Sequence, residues 1–174
     1  MNKLVYRAQA RDPSAFTELM RLCEQDMYRI ARSILQNDAD IADAMQDTTL
    51  ACFENLPALR TPAYFKTWLI RILINKCNDI LKSGRRTVTI DRLPESGSHD
   101  SALANVEFSM LMDSLKEPYR TVLVLRYAEG LSTRQIAQLL DISDSAARQQ
   151  LKRGRDKARE LYEPEKPNRM EVLA

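Results

Sequence analysis

The chain has 174 residues, a formal net charge of +2 and a 44% hydrophobic content, ordinary for a globular protein with one sizeable core or two small ones. Only four glycines, set against abundant Leu, Ala, Arg, Gln and Glu, predict a mostly helical chain. Three cysteines without CxxC spacing and a single histidine exclude a disulfide framework and a metal cluster, and no apolar run approaches the length of a membrane span.

At the N-terminus Lys3 and Arg7 are followed by Arg11 and Asp12 rather than by an apolar segment, so no secretory leader is expected. The first strong helix begins at Asp12-Pro13, a cap followed by a proline suited to the first turn. Phe16, Leu19, Met20, Cys23, Met27, Ile30, Ala31 and Ile34 then recur at three- and four-residue spacing, and the helix is expected to end near Gln36-Asn37. A second helix starts at Asp40, with Ile41, Ala44, Met45, Thr48 and Cys52 on one face, and stops before Pro57. The loop from Asn55 to Pro62 carries two prolines and Arg60. A third helix, from about Ala63 to Lys82, has the apolar stripe Phe65, Trp68, Leu69, Ile72, Leu73, Cys77 and Ile80. Three helices with such stripes can share one core. Cys23, Cys52 and Cys77 each fall within an apolar pattern and read as reduced core residues.

Charge is unevenly distributed. Asp12 to Ala58 holds nine acidic residues against three basic ones, and Leu59 to Arg92 holds eight basic against two acidic. An acidic part beside a basic part points to two different partners, one of them a polyanion, or to complementary faces packed inside one domain.

Periodicity vanishes between Ser83-Gly84 and about Ser101, where a flexible linker is expected. A second helical block follows, with the stripe Val106, Met110, Leu111 and Leu115. Pro118 opens a helix over Tyr119 to Tyr127, which Gly130 closes. From Leu131 to Leu161 two helix starts flank a tight apolar turn. Ser132 and Gln135 have the spacing of a capping box, and Ser143 can cap the next helix. Ile136, Ala137, Leu140 and Ile142 face inward where the two helices cross. Arg148, Gln149, Lys152, Arg153, Arg155 and Lys157 load the second helix with groups that read base edges and phosphates in a major groove. This is the pattern of a helix-turn-helix, the bland alternative being a helical hairpin with a solvated basic face. The second helix is expected to bury Ala147, Leu151, Ala158 and Leu161.

The first block reads Ile41-Ala42-Asp43-Ala44-Met45-Gln46-Asp47-Thr48, then Tyr64-Phe65-Lys66-Thr67-Trp68-Leu69-Ile70-Arg71-Ile72, then Asn75-Lys76-Cys77-Asn78-Asp79-Ile80-Leu81-Lys82. It resembles domain 2 of the extracytoplasmic-function group of bacterial sigma factors. The second block, from Leu115-Lys116-Glu117-Pro118-Tyr119 to Leu125-Arg126-Tyr127 and on through the helix-turn-helix, resembles domain 4 of the same group. Together the two cover about Ala15 to Leu161. The resemblance implies an all-α protein of two small helical domains. A three- to four-helix sigma domain 2 would span residues 1–83, a flexible linker 84–101, sigma domain 4 residues 102–162, and a C-terminal tail 163–174. It implies an alternative sigma factor that binds core RNA polymerase, directs it to promoters and helps open the minus-10 region.

Implied partners are the clamp helices of the largest core subunit, the flap of the second-largest subunit, promoter DNA and a cognate anti-sigma factor. No small-molecule substrate, cofactor or catalytic residue is implied. The expected location is the cytoplasm, with the anti-sigma factor able to hold the protein at the inner membrane face. By resemblance the polymerase-binding residues are Ile41, Asp43, Gln46 and Asp47. Asp43 and Asp47 lie one helical turn apart and offer a joint acidic surface, or equally a solvated helix face. The minus-10 residues are Asn55, Arg60, Tyr64, Lys66, Trp68 and Arg71, types that hold unstacked bases and their backbone; Trp68 and Phe65 also suit core positions. Arg85 and Arg86 would touch phosphates or carry linker charge. The minus-35 residues are Ser132, Arg134, Ser143, Ser145, Arg148, Gln149, Lys152 and Arg153. The chain departs from the family at the recognition helix, with Ser145-Ala146-Ala147 where Gly-Thr-Val is usual, and with Asp141 where a turn glycine is common. Two other classes fit parts of the pattern: a repressor or activator that binds duplex DNA without polymerase, and a helical adaptor, which leaves the basic helix unexplained.

Overall fold

The computed structural model describes residues 1–83 and 112–162, and the expected linker and tail, together with Arg85, Arg86 and most of the Val106–Leu115 stripe, lie outside them. Among the described residues every regular element is helical. The first half holds α1 (Asn2–Gln9), α2 (Pro13–Ile34), α3 (Asp38–Asn55) and α4 (Phe65–Lys82). The second holds α5 (Glu117–Leu123), α6 (Thr133–Leu140) and α7 (Asp144–Tyr162).

Local chemistry fixes the ends. Asp12 accepts the Ser14 and Ala15 amides at 3.0 and 3.1 Å, with Pro13 at the first helical position of α2. Helix α3 starts at Asp38, two residues before the expected Asp40, with Asn37 as its cap accepting the Ala39 amide at 2.9 Å. Two short 3₁₀ turns, Leu56–Ala58 and Pro62–Tyr64, join α3 to α4. Helix α1 carries no long apolar stripe. It is held by burial of Val5 and Ala8 and by packing on α2.

The core of the first half is built from Leu19, Ile30, Leu35, Ile41, Leu56, Phe65, Leu69, Leu73 and Ile74, all nearly inaccessible. Cys23, Cys52 and Cys77 are free and buried, and burial pushes the thiols of Cys52 and Cys77 up to about 12. In the second half Val122, Leu125, Ile136 and Ala147 form the centre, with Leu115 and Leu139 beside them. Gly154 lets α7 approach α5 closely, since a Cβ there would lie 3.3 Å from the Leu123 side chain.

The continuation of α5 differs from the straight helix expected over Tyr119 to Tyr127. Val124–Ala128 forms a π-turn, closed by the Glu129 amide donating to the Val124 carbonyl at 3.2 Å. Gly130 follows in the left-handed region, at φ 67°. Leu161 is a second correction. It is half exposed, because it lies near the end of α7, past Ala158, the last residue there to pack on the core.

The two halves touch. Helix α5 packs against α2, and α4 packs against α6. Along this seam Ser33, near the C-terminal end of α2, offers its carbonyl to Arg120 Nε at 2.9 Å and to Thr121 Oγ1 at 3.0 Å. All three residues are buried. A cleft of about 900 Å³ runs beside the contact, lined by Tyr28, Arg29, Arg32, Met45, Asp113 and Arg120 among others.

Candidate nucleic-acid and protein interface

Three surfaces carry the residues singled out from the sequence. The first is the outward face of α3. Ile41, Ala44, Thr48 and Cys52 turn inward at a helical period, which leaves Asp43, Gln46 and Asp47 exposed. Ile41 corrects the expectation that it belongs to the contact surface. It is 1% exposed, in register with Ala44 and Thr48, and so serves the core. Asp47 Oδ2 lies 3.9 Å from Lys76 Nζ, a loose pair in solvent that leaves the carboxylate accessible.

The second surface is the loop between α3 and α4. Asn55, Arg60 and Trp68 come together with Ala51, Ala58, Leu59 and Ile72 around a pocket of about 430 Å³. Trp68 packs partly on the core and also lines this pocket. Phe65 is wholly buried and stands 6.2 Å from the Trp68 ring, centroid to centroid. Asn55 donates Nδ2 to the Ala51 carbonyl at 2.8 Å, which fixes its amide at the pocket wall. Tyr64, in the second 3₁₀ turn, is 67% exposed. The loop is shaped from behind by Gln9, which donates Nε2 to the carbonyls of Leu56 at 3.1 Å and Leu59 at 2.7 Å. No local pattern marks Gln9, because both its partners are about fifty residues away.

Lys66 and Arg71 do not join that pocket. Lys66 Nζ bridges Asp26 at 2.7 Å and Glu129 of the second half at 2.9 Å. Burial alone would lower the Lys66 pKa, but hydrogen bonds to Asp26 and Glu129 outweigh it and hold the ammonium above its ordinary value. Arg71 donates Nη2 to the Gln138 carbonyl in α6 at 3.4 Å.

The third surface is the helix-turn-helix. The capping box forms in full: Ser132 Oγ accepts the Gln135 amide, and Gln135 Oε1 accepts the Ser132 amide at 2.9 Å. The turn passes through Asp141 in the left-handed region, at φ 54° and ψ 45°, a conformation aspartate adopts more readily than most residues. Ser143 Oγ accepts the Ala146 amide at 3.1 Å and opens α7. With Ala147 and Leu151 buried, α7 presents Asp144, Ser145, Arg148, Gln149, Lys152 and Arg153 to solvent, and Arg134 is exposed on α6. Ser132 and Ser143 therefore cap helices at the edge of this face. The arrangement leaves one helix with an exposed polar side that carries several cations.

Among the described residues no group of His, Cys, Asp or Glu has the geometry to hold a metal, and no helix is long and apolar enough to cross a membrane.

A family model described as sigma-70 region 2 matches residues 19–87, and one described as sigma-70, region 4, matches residues 105–157. The chain is 28% identical over 180 residues to the ECF RNA polymerase sigma-E factor of Haemophilus influenzae, covering 92% of this chain and 94% of that protein. The solved structure of CnrH in complex with the cytosolic domain of CnrY is 26% identical, with a TM-score of 0.65 over 92% of this chain and 96% of that one. The sigma factor RpoE of Bartonella quintana, solved with the anti-sigma factor NepR, shares the fold at a TM-score of 0.71 and 21% identity. That match covers 84% of this chain and 96% of the other.

Proposed function

Since the chain belongs to the sigma-70 family of RNA polymerase sigma factors, in its extracytoplasmic-function group, we infer that it acts as an alternative sigma factor. It binds core polymerase, brings it to particular promoters and helps separate the strands at the minus-10 element. In this reading it is a regulatory subunit and carries no catalytic residue of its own. It works in the cytoplasm, where polymerase and DNA are. Its partners are core polymerase, promoter DNA and an anti-sigma factor.

The roles fall on the three surfaces. Asp43, Gln46 and Asp47 form the acidic face for the clamp helices of the largest core subunit. Arg148 and Gln149 read base edges of the minus-35 duplex, an arginine suiting guanine and a glutamine adenine. Arg134, Lys152 and Arg153 hold phosphates, with Ser145 at the entry of the helix. The loop pocket holds a base taken out of the stack, with Asn55 and Arg60 on its polar edge, Trp68 on its wall and Tyr64 beside it. Once free of the second half, Lys66 and Arg71 carry the backbone of the same strand. Residues 1–83 are the unit for polymerase and the minus-10 element, and 102–162 the unit for the minus-35 element.

The loop pocket is the observation that carries this reading over a repressor or activator. Strand opening needs a place for a base taken out of the stack, and the loop pocket beside a basic helix offers one. The test is permanganate footprinting of promoter complexes formed with core enzyme. Asn55→Ala and Arg60→Ala are expected to leave minus-35 binding intact and to abolish thymine reactivity at the start site. Normal opening by both variants would overturn the assignment. Failure of the wild-type protein to co-purify with core polymerase would favour the repressor.

A further inference from the structure

The loop pocket has its polar residues on either side of a short turn. Asn55 immediately precedes Leu56 and Arg60 immediately follows Leu59, so the 3₁₀ turn Leu56–Ala58 sets how the two stand to one another. Within the turn the Leu59 amide donates to the Leu56 carbonyl at 3.1 Å. A single bond of this kind holds a turn loosely, because 3₁₀ hydrogen-bond geometry is poorer than that of an α-helix. The side chain of Gln9 adds a second constraint. Its Nε2 donates to the Leu56 carbonyl at 3.1 Å and to the Leu59 carbonyl at 2.7 Å, at the two ends of the turn. An amide nitrogen carries two N–H donors, so both bonds can form at once.

Gln9 is itself held from outside the loop. It is the last residue of α1, which packs on both 3₁₀ turns. The helix ends in a Schellman arrangement, with the Arg11 amide donating to the Ala8 carbonyl at 3.0 Å and the Asp12 amide to the Arg7 carbonyl at 3.2 Å. That ending needs a left-handed residue, and Arg11 supplies it at φ 65°, where glycine would be less strained. Arg11 places its guanidinium 5.1 Å from the centre of the Phe53 ring, a contact that glycine could not make. Phe53 lies in the last turn of α3, two residues before Asn55, and meets Phe16 of α2 edge-on at 5.2 Å. The end of α1 is thus tied to the end of α3 through Arg11 and to the following turn through Gln9. Val5 and Ala8 bury α1 on the core, whereas the Gln9 amide reaches the loop.

We propose that Gln9 is a positioning residue for the loop pocket, its amide spanning the Leu56 and Leu59 carbonyls so that Asn55 and Arg60 meet a captured base in one fixed geometry. The proposal rests on the reading of this pocket as the site of a base taken out of the stack. Hydrogen bonds to a base edge are directional, so a turn free to shift loses discrimination between bases before it loses grip on the strand.

The test has two arms. Trp68 is the only tryptophan of the chain and lines the pocket, so its fluorescence in the free full chain reports on the loop without DNA. Gln9→Leu removes both donors, and Gln9→Lys restores a donor of similar reach. Acrylamide quenching of Trp68 is expected to rise at least about twofold in Gln9→Leu as the loop opens locally, with helical content unchanged, and to return to the wild-type value in Gln9→Lys. In the second arm each protein, bound to core polymerase, is titrated by anisotropy with labelled single-stranded adenylate, cytidylate and thymidylate oligodeoxynucleotides of equal length. The wild-type complex is expected to favour one base over another by about tenfold, a preference that Asn55→Ala removes. Gln9→Leu should reduce it to within about twofold and Gln9→Lys should recover it. A ratio of affinities cancels the change in net charge that lysine brings. Should Gln9→Leu not fold, Gln9→Glu, equal in size and with no donor, carries the same comparison. A folded donor-free variant with wild-type quenching or wild-type base preference would overturn the proposal, as would a loss that Gln9→Lys does not recover. A wild-type complex with no Asn55-dependent preference, beside the expected quenching, would instead overturn the reading of the pocket as a base site, and with it the role of Gln9.

Discussion

Replacing Arg120 by methionine and Thr121 by valine, singly and together, tests whether the Ser33 carbonyl is the shared acceptor that joins the two halves. Thr121→Val preserves shape and removes the 3.0 Å hydrogen bond to the Ser33 carbonyl, with two longer contacts at 3.4 Å to Ser33 Oγ and Glu117 Oε1, at a cost of about 0.5–1.5 kcal/mol; the Ser33 carbonyl keeps Arg120 Nε at 2.9 Å. Arg120→Met removes a charged hydrogen bond worth about 1.5–3 kcal/mol. It also removes a guanidinium that is buried with one nitrogen unpartnered, and relief of that desolvation offsets most of the loss. Each single change is therefore small, within about 1.5 kcal/mol. The double variant leaves a buried carbonyl with neither donor, which costs a further ~1–3 kcal/mol that neither single change reveals. The assay is urea unfolding followed by circular dichroism, with the four proteins treated as a double-mutant cycle. A positive coupling above about 1 kcal/mol is expected. Additivity within about 0.5 kcal/mol would refute the reasoning, because the carbonyl would then be satisfied by water and the seam open in solution.

Charge reversal at Asp43 and Asp47 to lysine is expected to weaken binding to core polymerase about tenfold or more with helical content unchanged; equal affinity in a fluorescence titration would remove α3 from the contact. Arg148→Ala should cost about 1–3 kcal/mol at the cognate minus-35 duplex and little at an unrelated one. Lys152→Ala should weaken all duplexes alike and reduce the slope of log K against log salt by about one, and a base-dependent effect at Lys152 would exchange the two roles. The Ala15 amide and the Arg7 side chain are the chief causes holding the Asp12 carboxyl below its usual 3.8. The folded value is thus depressed, so the cap's contribution is present above the unfolded value and is lost as pH falls through the folded one. NMR at the start of α2 should show fraying only on the acid side of the Asp12 titration, and Asp12→Asn should remove that dependence.

What the sequence disclosed was what local chemistry determines. Asp12-Pro13, Ser132 with Gln135, and Ser143 are caps whose partners lie within three residues, so their spacing identifies them. The stripes of α2, α3 and α4 are long enough to mark their own buried faces. Ile41 is instructive, since the helical period placed it with Ala44 and Thr48 in the core while the family resemblance placed it at the interface. The period was right. What escaped was long-range. Helix α1 owes its burial to tertiary packing, and Gln9 has its acceptors in a distant loop. Glu129 reads in sequence as an exposed acid before a turn glycine, because no local pattern announces a π-turn. Lys66 and Arg71 have the right chemistry for DNA, but their partners here come from a segment about sixty residues further on. Gly154 was not read from the sequence, although a glycine inside a helix costs about 1 kcal/mol relative to alanine and so marks a place where close contact is needed.

The departures at the recognition helix narrow how this protein can read DNA. Where the family commonly has a threonine, Ala146 has no hydroxyl, and its amide is taken by Ser143 Oγ at 3.1 Å. The Ser145 hydroxyl lies 2.9 Å from Ser143 Oγ, so it belongs to the same small cap and has only its remaining hydrogen-bonding capacity to offer DNA. Asp141 accepts the left-handed turn without glycine, so the angle between α6 and α7 is kept although the residue is not the usual one. The first turn of α7 is thereby occupied with holding its own end. In the proposed function, base discrimination passes to the second turn, where Arg148 and Gln149 are exposed and have the side-chain length to reach base edges. A protein that reads with two long side chains from the second turn is sensitive to how far α7 is seated in the groove. In the proposed function that depth is set by the exposed cations flanking these residues, Arg134, Lys152 and Arg153, through their grip on phosphates.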